Sequence, residues 1–215
     1  MHFRLVTGAI CATALSLIAS TGFAAVPPAG RLDFSVVRDG TVIGHDVLEF
    51  AQSGDVLHVN VRTDVQVKIA FVTVYRFTHE SQEVWRDGRL ESLASRTNDD
   101  GTAHELAVHA AANGLEVVGD KRRSTAPGEL VPASLWHDGI VRSRVILNTL
   151  DGAQMAIQVR DQGLEQVDVQ GHPVAAHHYV LTGDLARELW YDAAGVLVQA
   201  RMKGSDGSDV LYTLR

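Results

Sequence analysis

The chain has a single cysteine, no recognisable cofactor motif and, beyond its first residues, no long apolar run. Because the cysteine is Cys11, residues 25–215 contain no thiol. That part of the chain cannot form a disulfide bond, use a thiolate nucleophile or bind a soft metal through sulfur. Its stability must therefore come from the packing of an apolar core, and about 190 residues are enough for one such domain.

Motifs for nucleotide cofactors and for common nucleophiles are also missing. The sequence contains no G-x-G-x-x-G, no P-loop and no G-x-S-x-G, so we predict no cofactor. A net charge of −7 argues against nucleic acid or an anionic membrane surface as the main partner. The basic run Lys121-Arg122-Arg123 lies in a turn-like region and is interpreted as a solvated loop.

Residues 1–24 have the pattern of a bacterial Sec-type signal peptide. A basic start is followed by an apolar run from Leu5 to Ile18 and by small residues at Gly22 and Ala24, which predicts cleavage after Ala24. We therefore expect a signal peptide at 1–24 and a single β-rich domain at 25–215. The mature protein is expected to be periplasmic or secreted, with no stable membrane anchor.

The remaining sequence has the turn residues and the two-residue alternation that are typical of β-hairpins. Apolar and polar residues alternate in many short runs, such as Leu57, Val59 and Val61, and this period predicts strands with one buried face. The fold class predicted is all-β, a strongly curved antiparallel sheet or incomplete β-barrel built from successive hairpins with little helix. Six Asp-Gly pairs supply tight turns: Asp39-Gly40, Asp87-Gly88, Asp100-Gly101, Asp138-Gly139, Asp151-Gly152 and Asp206-Gly207.

Three motifs, in order, carry a family resemblance. They are Trp85-Arg86-Asp87-Gly88 with Ser95 to Gly101, then Pro132 to Trp136, then Leu189 to Asp192 with Asp206 to Tyr212. The series resembles an uncharacterised family of exported bacterial all-β proteins, a domain of unknown function. The resemblance implies localisation and fold class, and no catalytic residue can be carried over from it. A looser likeness, in architecture alone, is to the open barrels of periplasmic lipoprotein carriers.

That likeness motivates the first functional hypothesis, a non-catalytic protein that binds an apolar or lipid-like molecule inside an open barrel. The run from Val65 to Phe77 is interpreted as one long strand with an apolar face. We expect the ligand to contact residues on that face and the tryptophans of the family-like motifs. These candidates are Ile69, Phe71, Tyr75, Trp85, Trp136 and Trp190.

Two alternatives remain open. One is a structural or assembly protein of the cell envelope that binds another protein through a sheet edge. The other is a hydrolase with an unrecognised site, for which Ser134, His137 and Asp138 are the one cluster of interest. Adjacent histidines such as His177 and His178 point to opposite faces of a strand, so we predict no metal site. An enclosed cavity of hundreds of Å³ would favour the carrier, and a filled interior with an exposed edge or apolar patch would favour the assembly protein.

Overall fold

A computed structural model describes residues 25–120, 122–204 and 206–215, and it contains one antiparallel sheet of 14 strands that does not close. The predicted fold class is therefore confirmed. Among the described residues, the only helix is a short 3-10 helix at Asp138–Arg142, and no helix is long and apolar enough to cross a membrane. The strands are β1 Arg31–Arg38, β2 Thr41–Ser53, β3 Val56–Ile69, β4 Val72–Arg86, β5 Arg89–Asp99, β6 Thr102–Ala111, β7 Gly114–Gly119, β8 Arg122–Ala126, β9 Val145–Leu147, β10 Gln154–Val169, β11 His172–Gly183, β12 Arg187–Asp192, β13 Leu197–Lys203 and β14 Asp209–Leu214.

Asp-Gly pairs form several of the tight turns, as predicted. Asp87 and Gly88 join β4 to β5 with φ of 50° and 73°, the left-handed conformations that a two-residue hairpin needs at both central positions. The pair Asp138-Gly139 has a different part, because it lies in the 3-10 helix.

The sheet consists of two meandering arms that meet where β1 pairs with β14. One arm runs from β1 out to β8, and the other runs from β14 out to β9. The far ends of the two arms then approach each other. Ser95 Oγ on β5 donates to the Thr149 carbonyl at 2.5 Å, and Gln154 Nε2 on β10 donates to the Thr125 carbonyl at 3.3 Å. The sheet is thus rolled up so that its two ends overlap, and this rolled sheet is called the coil below.

The connector, defined here as residues 127–144 between β8 and β9, helps to fill the inside of this coil. It contributes Leu130, Val131, Trp136 and Ile140 to the same buried cluster as the inward side chains of the strands. These apolar residues bury the inner face of the sheet in the way that a covering helix does in other folds.

One predicted strand is two strands. The run from Val65 to Phe77 reverses at Ala70, which has a φ of 54°, so that β3 ends at Ile69 and β4 begins at Val72. The alternating pattern continues on both sides of the turn and conceals it. As a result Ile69 is 68% exposed and Phe71 is 101% exposed. The expectation that these two side chains line an interior face is wrong.

Candidate functional site

Strand β4 carries an unusual pattern of burial. Its inward positions His79, Ser81 and Glu83 are buried, although all three side chains are polar. At the other end of the same strand, Val72 and Val74 are exposed. Burying polar groups and exposing apolar ones both cost free energy, so the two ends of β4 are where a function is best sought.

At the buried end, one carboxylate oxygen accepts hydrogen bonds from two tryptophans. Trp85 Nε1 donates to Glu83 Oε2 at 2.8 Å, and Trp136 Nε1 donates to the same oxygen at 3.0 Å. The indole rings meet edge to face, with centroids 5.5 Å apart at 82°, an arrangement that aromatic pairs favour. Trp85 comes from the sheet and Trp136 from the connector, so Glu83 joins the two.

The surroundings of this carboxyl are nearly dry. Glu83 is 1% exposed, and burial raises its pKa, which the hydrogen bonds from Ser134 and the two indoles offset only in part. The Ser134 hydroxyl lies beside the carboxyl without a well-aligned hydrogen bond, and within the described residues neither Ser134 Oγ nor Glu83 Oε1 has another partner. Both atoms are buried polar groups that require an explanation.

The neighbouring histidine does not activate the serine. His137 Nδ1 accepts the Gly139 backbone N–H at 2.9 Å, and the Asp138 carboxylate instead accepts from Arg142 at 3.0 Å. Burial lowers the pKa of His137, with Asp138 opposing the change. Ser134, His137 and Asp138 are therefore not arranged as a nucleophile, a base and its orienting acid.

A recess lined by Trp85, Trp136 and His137 has a volume of about 20 Å³. A water molecule fits this space, and a lipid chain does not. The structure brings together these two predicted site residues, and both belong to the buried core.

Trp190 lies apart from this pair, on the opposite face of the sheet. Its ring stacks on His178 with centroids 4.2 Å apart, and Arg201 lies 5.5 Å from it on a cation–π contact. Its Nε1 donates to Glu165 at 2.9 Å, and the two nitrogens of His178 face Glu165 at 2.9 Å and Glu188 at 3.0 Å. These polar groups satisfy one another and cover a small apolar cluster on the outer face.

From Glu83 towards the start of β4, the inner face of the sheet continues as a row of polar side chains across β2 to β5. Thr63 Oγ1 donates to Asp46 at 2.7 Å, and His79 Nδ1 lies 2.7 Å from Thr97 Oγ1. Burial raises the pKa of Asp46 to about 6 and lowers that of His79 to about 4. Tyr75, the remaining predicted site residue, is half-buried and donates to Asp99 at 2.8 Å.

At the other end of β4 is the hairpin tip, defined here as residues 69–74. Ile69, Phe71, Val72 and Val74 are all exposed there. The surrounding sequence from 65 to 79 has no acidic residue and contains Lys68 and Arg76. Arg76 lies 3.6 Å from Asp64. The backbone N–H of Arg76 also donates to Asp100 at 3.3 Å. The tip is thus an apolar projection with Lys68 at its base, while Arg76 lies among acidic residues of the sheet.

The sequence indicated the buried end through Trp85 and Trp136 but not Glu83, and at the apolar end it placed Phe71 inside instead of outside. Glu83 escaped notice because a lone glutamate in a strand is normally solvated. A signal was nevertheless present, since Glu83 is two residues before Trp85 in one strand and must share its face.

A family model for a domain of unknown function, DUF6134, matches residues 34–215. The chain belongs to this family. No curated protein matches the chain. A crystal structure of a β-barrel-like protein of the domain of unknown function DUF1849 from Brucella abortus is similar, with a TM-score of 0.60 and 10% identity over 86% of this chain and 94% of that one. At this identity the likeness concerns the fold alone. The predicted membership of an uncharacterised all-β family is confirmed.

Proposed function

We propose that this chain is an exported, non-catalytic protein of the bacterial cell envelope that docks onto a partner protein through the hairpin tip. The observation that carries the proposal is the full exposure of Phe71, together with exposed Ile69 and Val72, on a hairpin that projects from an otherwise filled coil. Export is supported by the signal pattern at 1–24.

The filled interior supports docking over the enclosure of a lipid. A drug-sized or lipid-sized ligand needs roughly 300 Å³ or more of mainly apolar space. The recess at the tryptophan pair offers about 20 Å³. A larger depression of about 540 Å³ crosses β4 to β7, but it is open and is lined by charged Glu80, Arg96 and Glu105. An acyl chain would gain little by leaving water for such a surface.

The composition of the tip supports a protein partner. Hot spots in protein interfaces are large side chains that fill a pocket and are surrounded by weaker polar contacts. Phe71 is such a side chain, since it is 101% exposed and sits next to a tight turn that restricts its backbone. Lys68 flanks it and would meet acidic groups at the rim of the partner's pocket.

The experiment is site-specific photo-crosslinking in the living cell. A photoreactive phenylalanine analogue replaces Phe71, and a matched control places it at Leu164, which is as exposed as Ile69 at 68% but lies on β10. We expect a discrete, larger adduct from position 71 and none of the same size from position 164. Mass spectrometry of the adduct then identifies the partner.

A charge reversal next to the tip sharpens this result. A variant that carries both the crosslinker at position 71 and Lys68→Glu should give less adduct, because the charge that meets the partner's rim is reversed in sign. Equal labelling from positions 71 and 164, or no protein adduct at position 71 although the protein is present in the periplasm, would contradict the proposal.

A further inference from the structure

The buried end of β4 carries a second inference, independent of the hairpin tip. Glu83 Oε2 already accepts two indole N–H groups, at 2.8 and 3.0 Å. Its other oxygen, Oε1, is buried without a partner, and so is the hydroxyl oxygen of Ser134 beside it. An ionised carboxylate would leave Oε1 negatively charged in a dry site, which is the costliest arrangement of these atoms.

A protonated carboxyl removes that cost. With a proton on Oε1, the group becomes a hydrogen-bond donor, and Ser134 Oγ is an acceptor at its side. Oε2 remains the carbonyl oxygen and keeps both indole N–H groups. The direction in which burial moves the pKa of Glu83 agrees with this arrangement.

The groups that face this site do not supply a compensating cation. His137 stacks on Trp85 with centroids 4.7 Å apart, and burial lowers its pKa, so it is neutral near pH 7. Tyr191, whose hydroxyl donates to the Leu135 carbonyl at 2.6 Å, has its pKa raised by burial and is neutral as well. Asp55 at the rim of the recess is paired with Arg86 at 3.0 Å.

We propose that Glu83 holds a proton in the folded protein and acts as a proton-dependent latch that fastens the connector inside the coil. The protonated group accepts the indole N–H of Trp136 in the connector on one side and that of Trp85 in β4 on the other. Loss of the proton places a charge in the dry core between β4 and the connector, so the connector loosens.

The latch makes the free energy of unfolding depend on pH in a definite direction. A carboxyl whose folded pKa lies above its unfolded value binds more protons in the folded state, so its contribution to stability is present at low pH. That contribution is lost as the pH rises from the unfolded value of about 4.5 through the folded one. Between those limits the unfolding constant increases by up to about tenfold for each pH unit.

Glu83→Gln tests the latch, because glutamine keeps the shape and the carbonyl acceptor but is neutral at every pH. The melting temperature of Glu83→Gln minus that of the natural protein should increase as the pH rises above the ordinary pKa of a glutamate. Histidine titrations cancel in this difference. Hydrogen exchange of peptides from 127–144, compared between the two proteins at the same pH, should show increasingly faster exchange in the natural protein as the pH rises.

Glu165→Gln is the matched control. Glu165 also accepts an indole N–H, from Trp190 at 2.9 Å, but its side chain is 45% exposed. Hydrogen bonds from Trp190 and His178 lower its pKa, so its contribution has the opposite sign. A pH-independent difference for Glu83→Gln, or the same trend for Glu165→Gln, would overturn the latch.

A measurement on the natural protein keeps the test independent of folding in the variant. Infrared spectroscopy detects the carbonyl stretch of a protonated carboxyl, and Asp46 contributes to it until the pH rises above its pKa of about 6. We expect a further band, from Glu83, that persists above the ordinary pKa range of a glutamate. Its absence from correctly folded protein would show that Glu83 is ionised.

Discussion

The two halves of β4 reverse the ordinary rule of burial in opposite directions. The half that joins the hairpin tip exposes Val72 and Val74, whereas the half that ends at Trp85 buries Ser81 and Glu83. Both halves lie in the same strand and sheet, but the β3–β4 pairing shifts register between Tyr75 and Thr73, so the strand geometry is irregular in the exposed half.

The contrast shows that each exception has to be explained by its own surroundings. In the buried half, His79 bonds Thr97 on β5 and Glu83 Oε2 accepts the two indole N–H groups, whereas Ser81 Oγ has no partner among the described residues. The apolar side chains of the exposed half have no such neighbours in the described chain. A sequence normally agrees with its fold at every level except at functional or strained sites, and β4 departs from that agreement twice. We therefore assign docking to one half and the latch to the other.

Removing the indole of Trp136 should have the largest effect. Trp136→Ala leaves a cavity in the core and deprives Glu83 of one donor, so we expect a loss of about 3–5 kcal/mol in the free energy of unfolding. Urea denaturation measures it. The comparison would break if Phe71→Ala, at the exposed end, were equally costly.

Replacing Glu83 by leucine should come next. Glu83→Leu leaves the two indole N–H groups without an acceptor, and each buried donor so orphaned costs about 1–3 kcal/mol. Glu83→Gln keeps the acceptor and should be much more stable than Glu83→Leu at every pH. Thermal unfolding of the two variants side by side would expose an error in the hydrogen-bond assignment if they behaved alike.

His79 should make the buried half sensitive to acid. Its folded pKa of about 4 lies below the ordinary 6.5, so its contribution is present above pH 6.5 and is lost as the pH falls towards 4. This contribution of His79 to the free energy of unfolding is roughly 2–4 kcal/mol. Asp46, with its pKa raised to about 6, acts in the opposite direction. His79→Gln should therefore flatten the acid side of the curve of melting temperature against pH, and an unchanged curve would refute this assignment.

Gly119→Ala tests the overlap of the two sheet ends, against which the buried half of β4 packs. A Cβ at this position would lie 1.8 Å from the Asp151 carbonyl oxygen, and backbone cannot move aside cheaply. We expect a cost of about 1–3 kcal/mol. Gly128→Ala, where the φ is not positive and a Cβ would make only ordinary van der Waals contacts of 3.5 Å or more, separates the clash from simple loss of glycine.

Phe71→Ser should have the smallest effect on stability, within about 0.5 kcal/mol, because the side chain touches solvent. Its effect should be on docking instead, measured as loss of the crosslinked partner from a neighbouring labelled position such as Ile69. A large drop in melting temperature would mean that the tip packs against the rest of the molecule.

The hairpin pattern made the fold class predictable, and the limits of that pattern explain what was missed. Alternation correctly placed Leu57, Val59 and Val61 on a buried face. It failed at Ala70, because a turn made by a residue other than glycine or asparagine leaves no mark in the composition.

The cluster around Glu83 was missed for a different reason. Strand parity places Glu83 on the face of Trp85, but the second indole donor is Trp136 of the connector, and no local pattern tells where a connector will cross. Trp85 and Trp136 were grouped with Trp190, although Trp190 lies on the other face of the sheet.

The pairing of β1 with β14 has a consequence for how the chain folds. Every other pair of neighbours in the sheet is also consecutive in the sequence, so those hairpins can form early and locally. Strand β1 pairs on this side only with β14, in which Leu214 lies opposite Phe34. This pairing closes a loop of nearly the whole described chain, and the closure of such a long loop is the slow part of folding a β-protein. Until then, β1 presents an open edge to other molecules. We therefore expect slow refolding that becomes prone to aggregation at high protein concentration, and a chain shortened before Asp209 should remain in that vulnerable state.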